Sequence, residues 1–379
     1  MQTELLKSLY KTHKELSLSG RYIHTETILN LLENSRINPL VALIGHSVNN
    51  ENIYSITIGK GSKKILMWSQ MHGNESTTTK AIFDMLNVLL ASESISKSIL
   101  ASCTIRIIPI LNPDGAKAYT RLNANEIDLN RDAQDLSQPE SKVLKKVFDS
   151  FKPNYCFNLH GQRTLFSAGN SNNPATVSFL APAQDENCTI TSTRKIAMEI
   201  ISEMNSYLQQ QIPNQIGIYD DAFNINCVGD TFQNHNIPTM LFEAGHFPND
   251  YHRDITREYI FQSLFIALHY ISDHTISGNN HKTYFKIPEN QKLFYDIIIR
   301  NTSNKDIGIQ FHEELIENSI HFAPKIEKIS DLSSFFAHKE IDARGQEVFA
   351  ANNEPIAEGS ENDFVWINNE KYSLKMKNI

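Results

Sequence analysis

The sequence is short of several features, and each shortage excludes something. No stretch of the 379 residues is apolar for the roughly 20 residues that a membrane crossing takes. The opening run Met1-Gln2-Thr3-Glu4-Leu5-Leu6-Lys7 has no apolar core of the secretory kind, so a cytoplasmic protein is expected. Only four cysteines occur, Cys103, Cys156, Cys188 and Cys227, and they are widely scattered. Without a close pair there is no basis for a zinc ribbon or a redox dithiol. Cys103 and Cys156 fall in strand-like runs and read as buried free thiols. Basic charge is not in excess: 35 Lys and Arg against 43 Asp and Glu give a net charge of −8, which argues against a nucleic-acid partner. Internal repeats, low-complexity tracts, a Gly-rich phosphate loop and a Ser-centred nucleophile elbow are all missing from the sequence.

What remains is ordinary globular material, 40% hydrophobic and 21% charged, enough for one large domain and a smaller one. Residues 1–38 read as helical, with Leu5, Leu6, Leu9 and Tyr10 on one spacing and Ile28, Leu31 and Leu32 on another. Strands are expected at 40–45, 53–59, 64–68, 103–110, 155–160, 177–180 and 238–243. Helices are expected at 76–90, 139–151, 190–211 and 255–272, and a long polar loop from Asn112 to Gln138. This alternation predicts a three-layer α/β/α domain over residues 1–280 with a mostly parallel or mixed sheet. After the break Ser277-Gly278-Asn279-Asn280 the pattern changes to short β-like runs, so residues 283–379 are expected to form a small β-rich second domain.

Three of these strands end in groups that chemistry can use. The 64–68 strand runs into His72-Gly73-Asn74-Glu75, the 155–160 strand ends on His160-Gly161, and the 238–243 strand ends on Glu243-Ala244-Gly245. In open α/β sheets that end of the strands is where ligands bind. His72 and Glu75, separated by two residues on one turn, are able to grip a single ion, and His160 completes the three protein ligands that a catalytic zinc needs. Glu243 is then the candidate base, off the metal and within reach of a water. The loop between strands adds Asn112-Pro113-Asp114-Gly115, Arg121 and Asp128-Leu129-Asn130-Arg131. Taken singly, a His-x-x-Glu pair or an exposed Arg is most often an ordinary surface feature; the weight lies in the joint pattern.

Over roughly residues 40–270 that joint pattern resembles the zinc carboxypeptidases, the carboxypeptidase A-like metallopeptidases of peptidase family M14. The resemblance implies one zinc ion held by His72, Glu75 and His160, with Glu243 as general base and proton shuttle. It implies that Arg121 polarises the scissile carbonyl, that Asn130 and Arg131 bind a substrate's terminal carboxylate, and that Asp128 stands behind His72. Tyr219, 24 residues before Glu243, is implied as a cap on that carboxylate. The expected reaction is hydrolysis of a C-terminal peptide bond, on a peptide or acyl-amino-acid substrate with a free carboxylate, without nucleic-acid or membrane partners. The uncharged Val228-Gly229 beside Asn226-Cys227 argues against a strict preference for Lys or Arg at the substrate's end. The short 112–130 segment, the His-Gly-Asn-Glu wording and the added C-terminal domain are also similar to the aspartoacylase and succinylglutamate desuccinylase type. An N-acyl amino acid deacylase or a peptidoglycan-peptide amidase is therefore the alternative, and a non-catalytic peptide-binding module a more distant one.

Overall fold

In a computed structural model of the chain, residues 3–91 and 93–376 are described. Met1 and Gln2 of the opening run, and the last three residues of the expected C-terminal domain, lie outside them. The chain divides into two compact units, residues 1–162 with 175–290 and residues 163–174 with 291–379.

The first unit opens with α1 (Thr3–His13) and α2 (Thr25–Leu32), separated by irregular chain rather than one helical stretch. Then follow β1 (Val41–His46), β2 (Asn52–Gly59), β3 (Lys63–Ser69), α3 (Thr77–Leu90), α4 (Ser94–Ser102) and β4 (Cys103–Ile108). The expected polar loop holds the short α5 (Pro113–Ala118) and a 3-10 turn at Leu129–Arg131 before α6 (Pro139–Phe151) and β5 (Tyr155–Gly161). Strand β6 (Phe166–Ala168) belongs to the second unit. The first unit resumes with β7 (Val177–Leu180), α7 (Ser192–Leu208), β8 (Ile216–Ile218), α8 (Val228–Asn234), β9 (Thr239–Ala244) and α9 (Asp254–Asp273).

Eight strands form one sheet in the order β1-β2-β4-β3-β5-β9-β7-β8. The centre is parallel: β3 pairs with β4 and β5, and β5 with β9. The β1–β2, β2–β4 and β7–β9 pairs are antiparallel, so the sheet is mixed. Alternation along β3 shows why both faces are covered. Ile65 and Met67 enter the large core formed with α3, α7 and α9, while Leu66 and Trp68 enter a smaller core with Phe148 of α6 and Phe232 of α8. A strand buried on both faces reads as the continuous apolar run seen in the sequence. The same alternation along β5 sends Phe157 and Leu159 to the large core and Cys156 to the smaller one, so His160 emerges on the α6/α8 side at the strand's end.

The second unit is β-rich. Strand β6 pairs with β10 (Asn290–Lys292), and Phe294 N–H donates to Leu165 O at 3.1 Å. A four-stranded sheet is built from β11 (Phe294–Arg300), β12 (Asp306–Ile316), β13 (Ser319–Ser330) and β14 (Phe336–Asp342), and a three-stranded one from β15 (Val348–Phe349), β16 (Phe364–Ile367) and β17 (Glu370–Ser373). Ile297, Ile299, Ile309 and Ile326 of the first pack with Val365 and Ile367 of the second in one core.

Candidate metal centre

The centre begins where β3 stops. Gln70 takes a left-handed backbone conformation, φ 44°, which a non-glycine residue holds only when its surroundings over-determine it. Here they do. The Gln70 amide donates to Gly73 O at 2.7 Å and Ile23 O at 2.9 Å, and accepts from the Thr79 hydroxyl at 2.7 Å. Three residues on, Gly73 runs against α5: a Cβ there would lie 1.9 Å from the Gly115 carbonyl carbon. Asn112, at the N-cap of α5, accepts from Gly115 N–H at 2.9 Å and donates to Met71 O at 3.2 Å. The turn carrying His72 and Glu75 is thus fixed from β3, from α3 and from the Asn112-Pro113-Asp114-Gly115 motif.

Within this frame three side chains meet. His72 Nδ1 is 2.8 Å from Glu75 Oε1, His160 Nδ1 is 2.9 Å from Glu75 Oε2, and the two Nδ1 atoms are 3.2 Å apart. Zinc bonds of about 2.0–2.1 Å at a tetrahedral angle would set two nitrogen donors about 3.3 Å apart. Two imidazole nitrogens turned towards each other and towards a carboxylate form a donor set that a divalent cation satisfies. His72 and His160 are both nearly fully buried. Gly161 N–H also donates to Glu75 Oε2 at 2.9 Å, which orients the carboxylate. Burial raises the pKa of Glu75, but the charge of His72 and close contact with both imidazoles outweigh it and hold the carboxyl well below its ordinary range.

Asp128 lies behind His72. Its Oδ1 is 3.0 Å from His72 Nε2 and accepts from Asn130 N–H at 2.9 Å. Its Oδ2 accepts from Arg121 Nε at 3.2 Å and Nη2 at 3.0 Å. A carboxylate in this place keeps the proton of His72 on Nε2 and leaves the Nδ1 lone pair facing the centre. Burial works against the charge of Asp128, but the hydrogen bond and charge of His72, with Arg121, hold its pKa well below the ordinary value. His160 has no such support: its Nε2 is buried without a hydrogen-bond partner among the described residues.

Arg121 stands at the mouth, 46% exposed, with Nη1 3.2 Å from His72 Nδ1 and 3.5 Å from Glu75 Oε1. Glu243 is the register partner of His160 on the neighbouring strand. Its Oε2 is buried with no hydrogen-bond partner among the described residues. Burial first, and then the charge of Glu75, push its pKa well above the ordinary carboxylate value, against the pull of Arg121 and Arg253. Tyr219, just past β8, feels the same charges. Burial raises its hydroxyl pKa, Glu243 and Glu75 raise it further, and Arg253 and Arg121 oppose.

Asn130 and Arg131 stand on the 3-10 turn that follows Asp128. Asn130 Oδ1 accepts from Val228 N–H at 3.0 Å, so the oxygen is committed and the Nδ2 group remains as the donor. Arg131 Nη1 donates to Asn130 O at 2.8 Å and to Cys227 Sγ at 3.1 Å. Cys227 and the other three cysteines are all free. His246, three residues past Glu243, is buried against the Tyr251 ring, 4.7 Å between centroids. Sequence reasoning passed over Gln70, whose strained backbone leaves no mark in composition, and Ser178, which the antiparallel β7 brings into register with Glu243.

A mixed α/β sheet whose parallel centre ends in two histidines and a glutamate presents a donor set able to hold a metal ion. The chain belongs to the zinc carboxypeptidase (peptidase M14) family, whose model matches residues 33–235, just over half of it. That family uses one catalytic zinc ion. Carboxypeptidase 2 of Trichophyton rubrum is 30% identical over 115 residues, 30% of this chain and 21% of that protein. Carboxypeptidase SOL1 of Arabidopsis thaliana is 28% identical over 146 residues, 34% of this chain and 30% of that protein. The matched stretch therefore spans under a third of either relative. Among solved structures, a carboxypeptidase A from Shewanella denitrificans superposes with a TM-score of 0.56 at 18% identity, covering 65% of this chain and 69% of that one. Carboxypeptidase A from Helicoverpa armigera gives 0.50 at 15% identity, covering 71% and 80%. At those identities the likeness concerns the fold. No helix among the described residues is long and apolar enough to cross a membrane.

Proposed function

We propose that the protein is a metallocarboxypeptidase that hydrolyses the C-terminal bond of a peptide with a free carboxylate. The observation that carries this reading is the meeting of His72 Nδ1, Glu75 and His160 Nδ1 within 2.8 to 3.2 Å, beside a Glu243 whose Oε2 is buried. These three residues would hold the zinc, and zinc in such a site polarises a carbonyl and acidifies water. Glu243 takes the proton of the attacking water and passes it to the leaving amine; its unpartnered Oε2 suits that work. Arg121 offers N–H groups to the oxyanion as it develops. Arg131 and the Asn130 Nδ2 grip the terminal carboxylate, and Tyr219 closes over it. Asp128 keeps His72 in the metal-binding tautomer. Four free cysteines suit a reducing compartment such as the cytoplasm.

Peptide profiling tests the reading. Peptides with a free C-terminus should lose their last residue while their C-terminally amidated counterparts stay intact. Cleavage of N-acyl amino acids or of peptidoglycan peptides with both of those sets inert would replace the carboxypeptidase by a deacylase or amidase, and a protein inert to all of them that still binds peptide would be a recognition module.

A further inference from the structure

His160 and Glu243 sit opposite each other on the parallel strands β5 and β9, whose register ends at Gly161 and Ala244. The last backbone bond between the two chains is Gln162 N–H to Ala244 O, 3.0 Å. At this rim two carbonyls are held by a single guanidinium. Arg253 donates from Nη1 to Ala244 O and from Nη2 to Gln162 O, each at 2.5 Å. Only 2% of Arg253 is exposed. Its planar fork presents two donors at a fixed spacing, so it ties the strand ends together where the backbone ladder has stopped.

The fork is itself firmly based. Arg253 is the N-cap of the 20-residue α9, with a left-handed φ of 58°. Its N–H donates to Asp250 O at 3.0 Å. The Asp250 carboxylate accepts from the N–H groups of Asp254, Ile255 and Thr256 at 2.9 to 3.0 Å, capping the helix. On the far side, the Gln162 amide donates to Ala175 O at 2.7 Å and accepts from Asn290 Nδ2 at 3.1 Å. Gly245 passes between these groups without a side chain, since a Cβ would lie 1.9 Å from Ala175 O and 2.5 Å from Gln162 Nε2.

We propose that Arg253 is a positioning residue for the reaction: by bridging Ala244 O and Gln162 O it sets the distance between the strand carrying the ligand His160 and the strand carrying the base Glu243. This rests on those two roles as proposed above. Neither Asn130 nor Arg131 lies on these strands, so loosening the fork should misplace base against metal centre and leave the carboxylate grip alone.

The test uses the full-length, zinc-loaded protein, with Arg253→Lys and Arg253→Met compared for kcat, KM and resistance to zinc loss against a chelator. In Arg253→Met, kcat should fall on the order of 10- to 100-fold, as small misplacements of reacting groups do, with KM within about threefold of the original. Arg253→Lys keeps the charge without the planar fork and should stand between the two. Both variants should release zinc at lower chelator concentration, because His160 is less firmly held. The proposal is overturned if either variant, folded by thermal melt, keeps the original kcat and zinc retention, or if activity falls only in proportion to the folded fraction. Should Arg253→Met not fold, Arg253→Lys decides by the same criteria. Full turnover in Glu243→Gln would instead strike the assignment of the base, and zinc retention would still judge the fork on His160.

Discussion

At the scale of single residues, the centre is a small set of groups that each have more than one partner. Glu243 differs from the other carboxylates there, with one oxygen committed to nothing among the described residues. That makes its replacement the sharpest test of the chemistry. Glu243→Gln preserves shape and should leave zinc content near one per chain. Turnover should drop by roughly 10²–10⁴, the usual weight of an acid–base group; metal analysis and kcat on one preparation check both. Asp128 is the opposite case, because one carboxylate serves His72, Arg121 and the Asn130 backbone. Asp128→Ala should weaken zinc binding by about 10- to 100-fold, measured by chelator competition. Asp128→Asn should recover part of that loss, since its amide oxygen still accepts from His72 Nε2.

At the scale of elements, the seam between α3 and α9 carries buried charge. Arg257 of α9 donates to both oxygens of Asp84 of α3 at 2.6 Å, and both side chains are fully buried. One turn earlier on α3, Lys80 is fully buried and donates to His252 O at 3.1 Å and Asp254 Oδ1 at 3.2 Å. Burial pushes its ammonium pKa down from 10.5 to about 8. The unfolded chain therefore binds more protons than the folded one between about pH 8 and 10.5, and stability rises with pH across that window. Below it the charged amine is a cost to the fold. Lys80→Met should be neutral or stabilising at pH 7, by up to about 4 kcal/mol, since the half-exposed Asp254 returns to water. Its advantage should shrink as pH rises past 8. Urea midpoints of both proteins at pH 7 and pH 10 give the comparison; a midpoint clearly lowered at pH 7 would contradict it.

At the scale of the whole molecule, zinc should act as a folding ligand. His160 arrives from β5 and His72 and Glu75 from the turn after β3, residues 85 and more apart in sequence. An ion that binds this arrangement and not the unfolded chain should add about 4 kcal/mol when free zinc exceeds its dissociation constant 1,000-fold. Chelation should lower the melting temperature and added zinc restore it. In a chain with His160→Ala the chelator-sensitive part of the melt should largely vanish. Residues 163–174 leave the first unit between β5 and β7, and their strand β6 pairs instead with β10.

The sequence by itself determined the parts whose cause is local. Strands β2 to β5 and β9 show as apolar runs because their residues are buried on one or both faces wherever the sheet is placed. The proposed ligands His72, Glu75 and His160, and Glu243, are legible because strands end there, and strand ends carry the polar groups. Brief elements such as α8 and the three-residue β8 leave too little periodicity to read. Tertiary structure alone decided what depends on long-range pairing. It brought Ser178 beside Glu243, gave residues 163–174 to the second unit, and set a guanidinium from the start of α9 across the ends of β5 and β9. The physical reason is the same in each case. A residue's neighbours along the chain fix its backbone preference and its face, whereas its hydrogen-bond partners across the fold exist only after the sheet has closed in one order.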